Sequence, residues 1–412
     1  MSAPAKIGSV IVVGGGSIGM SCALSLQSRG IAATVVDPGT LRPASLGNAG
    51  HIAVEQVEPL ASLATLRSLP RMLFSRGGPV SLMPREIGAW LPFALRFVRA
   101  ATPSRFRAGR TALSSIAAAA LPAWRRQLER AGAADLLLDC GHYAVWETRD
   151  AAASGRRRWA ETDTGAVIVR DASGDELERV AALLRVPLAG GVRFDGSAQI
   201  ADLDLLAAAL LHAFDAGGGV RVRGAAGRVS PRSVTLETGE RLDADAVLVA
   251  AGAASGRLLP RHFVPMIAER GYHLQTAESE WPLDLPPVVF EERSVVVTRF
   301  RSGLRAAGFF EFARADARPD PRKWARLRAH LDALGICVPD AAEWTGARPT
   351  LPDYLPVIGR TNEGLFYAFG HQHLGLTLAA ATGEAIAALA AGEAPEFDLF
   401  PFRIERFGRR RG

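Results

Sequence analysis

The chain has only two lysines, Lys6 and Lys323, among 48 basic residues, and only three cysteines, Cys22, Cys140 and Cys337. The cysteines lie far apart and lack metal-ligand spacing, so they read as small buried hydrophobes in a reducing compartment, and no metal is expected. No run of about 18 uncharged apolar residues appears, which argues against a spanning helix. Met1–Lys6 leads straight into an apolar strand pattern, leaving no room for a signal peptide, so a cytoplasmic-side protein is expected. Aromatics are sparse, at 7%, and no stripe of them alternates with basic residues, so nucleic-acid binding is not expected. The arginines are scattered, except in Arg156-Arg157-Arg158 and Arg409-Arg410-Arg411. The net charge of +6 better suits a positive field around a site for anionic substrates. With 412 residues, 48% of them hydrophobic, the chain has enough material for two domains.

What is present begins at the N-terminus. Val10-Ile11-Val12-Val13 runs into Gly14-Gly15-Gly16-Ser17-Ile18-Gly19, then a helical stretch, then Ala33-Thr34-Val35-Val36-Asp37. Strand, glycine turn, helix, strand and terminal acid together make a dinucleotide-binding unit. Gly14 permits the tight turn, Gly16 lets backbone approach a pyrophosphate, and Gly19 lets helix pack closely on strand. The helix start offers N–H groups and a positive dipole end to phosphate. Asp37, followed by Pro38, stands 18 residues after Gly19, near the offset of roughly 20 expected for an acid that binds ribose hydroxyls.

The remaining strands of such a unit come later. Residues 203–214 have helical periodicity, 220–223 alternate, and 234–238 with 241–243 read as a hairpin about Gly239-Glu240. Residues 246–252 read as a buried strand ending in a glycine turn. The nucleotide domain is therefore expected to be discontinuous, comprising 1–58, 190–262 and 345–412. Residues 59–189 and 263–344 are left for a second domain of antiparallel sheet plus helices, giving an α/β protein that is α+β overall. Within it, 56–130 read as helix broken into short pieces by Pro59, Pro70, Pro79, Pro84 and Pro92. Residues 272–275, 288–290, 294–298 and 304–308 read as strands, and 321–334 as helix.

Five segments together resemble the D-amino-acid oxidase superfamily of FAD-dependent oxidoreductases, and within it the bacterial D-amino-acid dehydrogenases. They are Gly14–Asp37; Ser45-Leu46-Gly47-Asn48-Ala49-Gly50; Val247–Ser255; Gly346-Ala347-Arg348-Pro349 with Asp353 and Pro356–Gly359; and Gly364–His371 leading through Gly375-Leu376-Thr377 into an alanine-rich helix. The resemblance implies non-covalently bound FAD. The residues it implies for the cofactor are Gly14, Gly16, Ser17, Ile18, Gly19, Asp37, Pro38, Ser45, Asn48, Ala49, Gly50, Val229, Gly252, Gly370, His373, Gly375, Leu376 and Thr377. The helix beginning near Leu376 would turn its N–H groups toward the anionic N1–O2 edge of a reduced flavin.

The resemblance assigns Arg348 to the substrate carboxylate, a task suited to a planar guanidinium fork. Arg305, on the apolar strand Gly303–Phe310, is a second candidate, with a solvent-facing role as its alternative. Tyr272, after Arg270-Gly271, could bond the same carboxylate or belong to the core. His51 follows the Asn-Ala-Gly loop and could orient the substrate amine or help it lose a proton; a structural role is the alternative. Glu55 is too loosely placed to rank. His371 and His373 flank the N1–O2 wall.

No nucleophilic triad is needed, because Cα hydrogen leaves as hydride to flavin N5 while the neutral nitrogen forms an imine. The run Gly370–Leu378 looks most like members that oxidise cis-4-hydroxy-D-proline, so that substrate or D-proline is favoured. A quinone or other respiratory carrier is the expected acceptor. The stretch Trp90–Arg99 could touch a membrane surface or form a core helix. Competing readings are a glycine or sarcosine oxidase, an NAD-dependent dehydrogenase, and a flavin-binding electron-relay subunit.

Overall fold

The structure, a computed structural model, describes residues 7–39 and 44–408. The Met1–Lys6 start and the Arg409–Arg411 run lie outside the described residues. Ser9–Val13, the helix Ser17–Gln27 and Ala32–Asp37 form the first βαβ unit. Around it grows a six-stranded sheet in the order 220–223, 32–37, 9–13, 246–249, 366–369 and 357–360. All of its pairs are parallel except the last. Val10–Val13 lie opposite Ala33–Val36 on one side and Ala246–Val249 on the other. These strands are covered on both faces, which is why they read as unbroken apolar runs and not as alternations.

Helix Gly375–Ala391 closes one face of the sheet. It crosses Ser17–Gln27 closely: a Cβ on Gly383 would press on the backbone of Ser21. The segment 372–391 is long and apolar enough to cross a membrane, yet 78% of its apolar window is buried within the protein. Trp124, from the long helix Pro103–Arg130, donates its indole N–H to the carbonyls of Leu376 (2.9 Å) and Thr377 (3.2 Å). The helix is therefore a core element.

The second large sheet has nine strands. Its path is 342–350, 267–276, 303–313, 295–300, 288–290, 142–146, 190–195 and 168–171, with 80–81 beside 303–313. Two stretches that the sequence places wholly or partly in the nucleotide domain, within 190–262 and 345–412, pair here. Gly190–Asp195 pairs with His142–Trp146, and Ala342–Thr350 pairs with Ile267–Thr276. Their partners lie tens of residues away, beyond the reach of local pattern. A hairpin of 233–236 and 241–243 forms about Gly239-Glu240, with 226–229 as its third strand. A small sheet of 51–52, 198–200 and 137–138 ties the N-terminal loop to the second domain.

Proline interrupts the 56–130 region less than its count suggests. Pro70, Pro92 and Pro122 lie inside helices Leu63–Met72, Ile87–Ala100 and Pro103–Arg130. Proline at 92 removes the bond to the carbonyl of Gly88, and both residues face solvent. Water can meet the orphaned carbonyl there, which lowers the cost of the interruption.

Candidate active site

The glycine turn is shaped by close approach. Gly14 has φ +113°, and a Cβ there would strike the carbonyl of Ala250 at the end of the neighbouring strand. A Cβ on Gly19 would strike the carbonyl of Gly14, so helix and strand meet backbone to backbone. Gly16 is the N-cap of Ser17–Gln27 and supplies no side-chain cap. At the helix start the Ser17 N–H donates to the Ser45 hydroxyl at 3.4 Å, which brings Ser45 to the anion-facing end of the helix. Asp37 ends its strand beside this turn, accepting from the N–H groups of Gly15 (2.7 Å) and Gly39 (2.8 Å). Gly252, at φ +55°, turns the 246–249 strand away with open space where a Cβ would lie. Val229 ends strand 226–229 of the small hairpin sheet, opposite Val234. These residues fit a bound dinucleotide.

The loop 45–50 is held from below. Asn48 Oδ1 accepts from the Gly50 N–H at 2.9 Å, and Gly50 has φ +77°. Arg305 donates to the carbonyls of Leu46 (2.8 Å) and Asn48, and to the Gln275 amide oxygen (2.9 Å from Nε). It is buried, with its guanidinium over the Phe300 ring. Arg305 is thus an anchor for the Asn48 loop and neither a second carboxylate ligand nor a solvent-facing residue. A buried guanidinium needs several acceptors at once, and a loop with turned-in carbonyls provides them. His273 Nδ1 donates to the Gly47 carbonyl at 3.1 Å while its ring stacks on Trp344, centroids 4.7 Å apart. Burial, aided by the charge of Arg305, pushes the His273 pKa down to about 3.

Strand Ile267–Thr276 presents alternate residues to two environments. Glu269, Gly271, His273 and Gln275 lie on the loop side. Arg270, Tyr272 and Leu274 lie on the other. On the loop side Glu269 stands opposite Arg348 of the neighbouring strand. Its carboxylate takes Arg348 Nη1 (3.1 Å) and the hydroxyls of Tyr354 (3.1 Å) and Thr350 (3.3 Å). Glu269 is 3% exposed and Arg348 29%. Arg348 Nε and Nη2 have no acceptor among the described residues. Gly271 lets the guanidinium lie over it, since a Cβ would sit 2.7 Å from Nη2.

On the other side Tyr272 donates to Glu311 (2.7 Å) and accepts from the Asp320 N–H (3.0 Å). Glu311 also pairs with Arg270 (3.0 Å) and Lys323 (2.7 Å). Tyr272 is therefore a member of a buried charge network and not a carboxylate ligand. A hydroxyl with both its donor and acceptor roles filled in the core has nothing to offer a substrate.

Helix Gly375–Ala391 starts without a side-chain cap, and a Cβ on Gly375 would meet only His371 at 3.8 Å. Gly370, at φ +78°, turns the chain toward it. Thr377 Oγ1 accepts from the Ala53 N–H at 3.0 Å, joining the helix start to the chain beyond the Asn48 loop. His371 Nε2 lies 3.0 Å from the Thr382 hydroxyl and is engaged within the core; burial drives its pKa to about 3. His373 is held at about 4, mainly by burial, with Glu269 and Arg348 both close enough to act on it. Between His371 and His373 stands Gln372. It has φ +47° and is 5% exposed, and both its amide atoms lack a partner among the described residues. A strained backbone carrying an unmatched buried amide is a signature of a ligand-facing position.

Among the described residues His51 is joined to Arg348 or Glu269 by no hydrogen bond or ion pair. Its ring packs against His142, centroids 4.2 Å apart, and its Nε2 lies 3.7 Å from Glu55. Burial lowers its pKa to about 4. Glu269, Gln275, His273 and Trp344 escaped the sequence reading. A strict period of two over 267–276 would have placed the first three on one face.

A family model described as FAD-dependent oxidoreductase (DAO) matches residues 9–389. A D-amino-acid oxidase of Bradyrhizobium diazoefficiens is 30% identical, the match covering 97% of this chain and 98% of that one. A D-amino acid dehydrogenase of Ralstonia nicotianae is 31% identical over 96% of this chain and all of its own length. Among solved structures, glycine oxidase from Geobacillus kaustophilus superposes with TM-score 0.71 at 24% identity, covering 98% of this chain and 99% of its own. L-proline dehydrogenase from P. horikoshii does so with TM-score 0.69 at 15% identity, with the same shares covered. The glycine turn, the uncapped helix start at Gly375 and the full-length match converge: the chain belongs to the DAO family of FAD-dependent oxidoreductases.

Proposed function

We propose that the protein is a dehydrogenase that oxidises a D-amino acid at Cα to the imino acid, with cis-4-hydroxy-D-proline or D-proline as the favoured substrate. The observation that carries this reading is Arg348: a half-buried guanidinium, pinned at one nitrogen by buried Glu269, with donors left over for a carboxylate. Gly14, Gly16, Ser17, Ile18, Gly19, Asp37 and Pro38 would hold the diphosphate and ribose of FAD. Ser45, Asn48, Ala49, Gly50, Val229, Gly252, Gly370, Gly375, Leu376 and Thr377 would hold the rest, without a covalent link. Bound FAD supplies the two-electron acceptor for the Cα hydride.

The chain's own task is aim. Arg348 grips the carboxylate and fixes where Cα points. His373, uncharged at neutral pH, stands beside Arg348 with a ring nitrogen able to accept a hydrogen bond from the substrate amine. The unmatched amide of Gln372 suits a ring hydroxyl. Relatives named D-amino-acid oxidase and D-amino acid dehydrogenase support the D configuration. The test is anaerobic bleaching of the flavin by D-proline, cis-4-hydroxy-D-proline, other D-amino acids, L-amino acids, glycine and sarcosine. Bleaching by D-proline derivatives is the expected result. Bleaching by L-amino acids alone overturns the stereochemistry, and bleaching by glycine or sarcosine alone favours an amine oxidase.

The acceptor belongs to the same reading. Helix Ile87–Ala100 exposes Ile87, Leu91, Leu95 and Val98 along one side, with Arg85 and Arg99 exposed nearby. That pattern suits the inner surface of an anionic membrane and a quinone acceptor within it. Co-sedimentation with anionic vesicles, abolished by Leu91→Asp with Leu95→Asp, is the expected outcome; equal sedimentation of parent and variant would refute it.

A further inference from the structure

One buried cluster takes no part in the proposed aiming of substrate. His51 lies on the two-residue strand that follows the Asn48–Gly50 loop, Glu55 in the turn beyond it, and His142 at the start of a strand in the nine-stranded sheet. One ligating atom from each falls within 4.8 Å of the others. Glu55 is 2% exposed and His142 4%. His51 Nε2 and Glu55 Oε2 are both buried and have no hydrogen-bond partner among the described residues. They face each other at 3.7 Å, beyond hydrogen-bond range.

Two opposed polar atoms left unmatched in the interior each cost the full desolvation of the group unless something lies between them. Zinc binds imidazole nitrogen and carboxylate oxygen at about 2.0–2.1 Å, which sets donors roughly 3.3 Å apart in a tetrahedron. The His51–Glu55 separation is a few tenths of an ångström wider. Closing it asks only for small rotations of side chains on short segments. His142 Nδ1 lies 3.0 Å from the Ser197 hydroxyl, a partner of the kind that orients a ligating imidazole. Arg193, whose charge reaches His142, is paired with Asp195 at 3.2 Å.

We propose that His51, Glu55 and His142 form a buried site for one divalent transition-metal cation of the zinc class, joining the Asn48–Gly50 loop to the second domain. The donor set of two imidazoles and one carboxylate selects such an ion over calcium or magnesium, which favour all-oxygen shells. The ion would brace the loop that Arg305 and His273 hold from the other side. The sequence offered no sign of it, because its ligands are spread from 51 to 142 and none is a cysteine.

The test uses untagged, FAD-loaded protein equilibrated with zinc chloride, freed of excess and analysed for metal. The parent is expected to hold about one zinc per chain and to melt a few degrees higher than the metal-stripped protein. Glu55→Gln keeps the shape of the side chain, and His142→Asn removes one ligand. Both are expected to lose most of the zinc and the thermal shift while keeping the flavin spectrum. Cys337→Ser, at the exposed thiol, is expected to keep the zinc. A parent that retains no zinc and shows no thermal shift overturns the proposal. So does Glu55→Gln retaining as much zinc as the parent, which would place the ion elsewhere.

Discussion

One side of strand Ile267–Thr276 holds a buried network of three ion pairs, the other a single pair of Glu269 with Arg348. Arg270, Glu311, Lys323, Asp320 and Tyr272 form a closed set. Glu311 and Lys323 are fully buried, Arg270 is 4% exposed, and each charge meets an opposite one within 3.1 Å. On the other side Glu269 is also buried, at 3%, but its arginine is 29% exposed. The closed set gives the core a fixed register; the half-open pair retains donors beside the Asn48 loop. Burial of a carboxylate with an arginine therefore does not mark a site by itself. What separates the two is exposure: Arg270 is shut into the core at 4%, whereas Arg348 is 29% exposed and can turn its remaining donors to a ligand.

The comparison breaks most readily at Arg348. Arg348→Ala should lower kcat/KM on the order of 1,000-fold, since it removes two charge-assisted bonds of about 1.5–3 kcal/mol each. The flavin spectrum should stay intact. Loss of FAD together with activity would make the residue structural. Glu269→Gln keeps the shape of Arg348's support but not its charge, and should raise KM about tenfold through lost aim, with kcat within a few-fold. An unchanged KM in steady-state kinetics would show that Arg348 needs no support from Glu269.

Tyr272→Phe sharpens the comparison from the other side. It leaves an acceptor on Glu311 and the Asp320 N–H unmatched, at a cost of about 1–3 kcal/mol in urea unfolding, with KM unchanged. A stable variant with a raised KM would move Tyr272 into the site. A smaller effect concerns His371. Its folded pKa of about 3 lies below the usual histidine value of 6.5, so between those pH values the unfolded chain binds the extra proton. Stability therefore rises with pH across that window and is lost as pH falls through it. His371→Gln should remove about 1.4 kcal/mol per pH unit of that dependence between pH 6 and 4. Denaturation curves of parent and variant that keep the same pH slope would contradict it.

Local chemistry made much of this legible. The glycine turn, the hairpin at Gly239-Glu240, the strand ending at Val249 and the helix over 321–334 each follow from spacing or from turn residues. So does the helix starting at Gly375, one residue from its expected beginning. Sheet membership was not legible: Gly190–Asp195 and Ala342–Thr350 are placed by partners distant in sequence. Side choice was only half legible. Tyr272 reads either as a second carboxylate ligand beside Arg348 or as a core residue until the Ile267–Thr276 strand turns it to the face opposite Glu269 and Arg348. Arg305 misled for a related reason: carbonyls of a loop more than 250 residues earlier take its donors. Those contacts leave no trace in the sequence around it.

The most direct measurement of the central claim is equilibrium binding of a simple carboxylate, benzoate or pyrrole-2-carboxylate, followed by the shift it causes in the flavin spectrum. The parent, Arg348→Lys and Tyr272→Phe are compared at one pH and ionic strength. Lysine keeps the charge but lacks the planar fork, so one directed bond is lost. The account predicts that Arg348→Lys weakens Kd on the order of 10- to 100-fold while Tyr272→Phe leaves it within twofold. An unchanged Kd in a folded, yellow Arg348→Lys protein, or a Tyr272→Phe protein that loses the ligand, would contradict it.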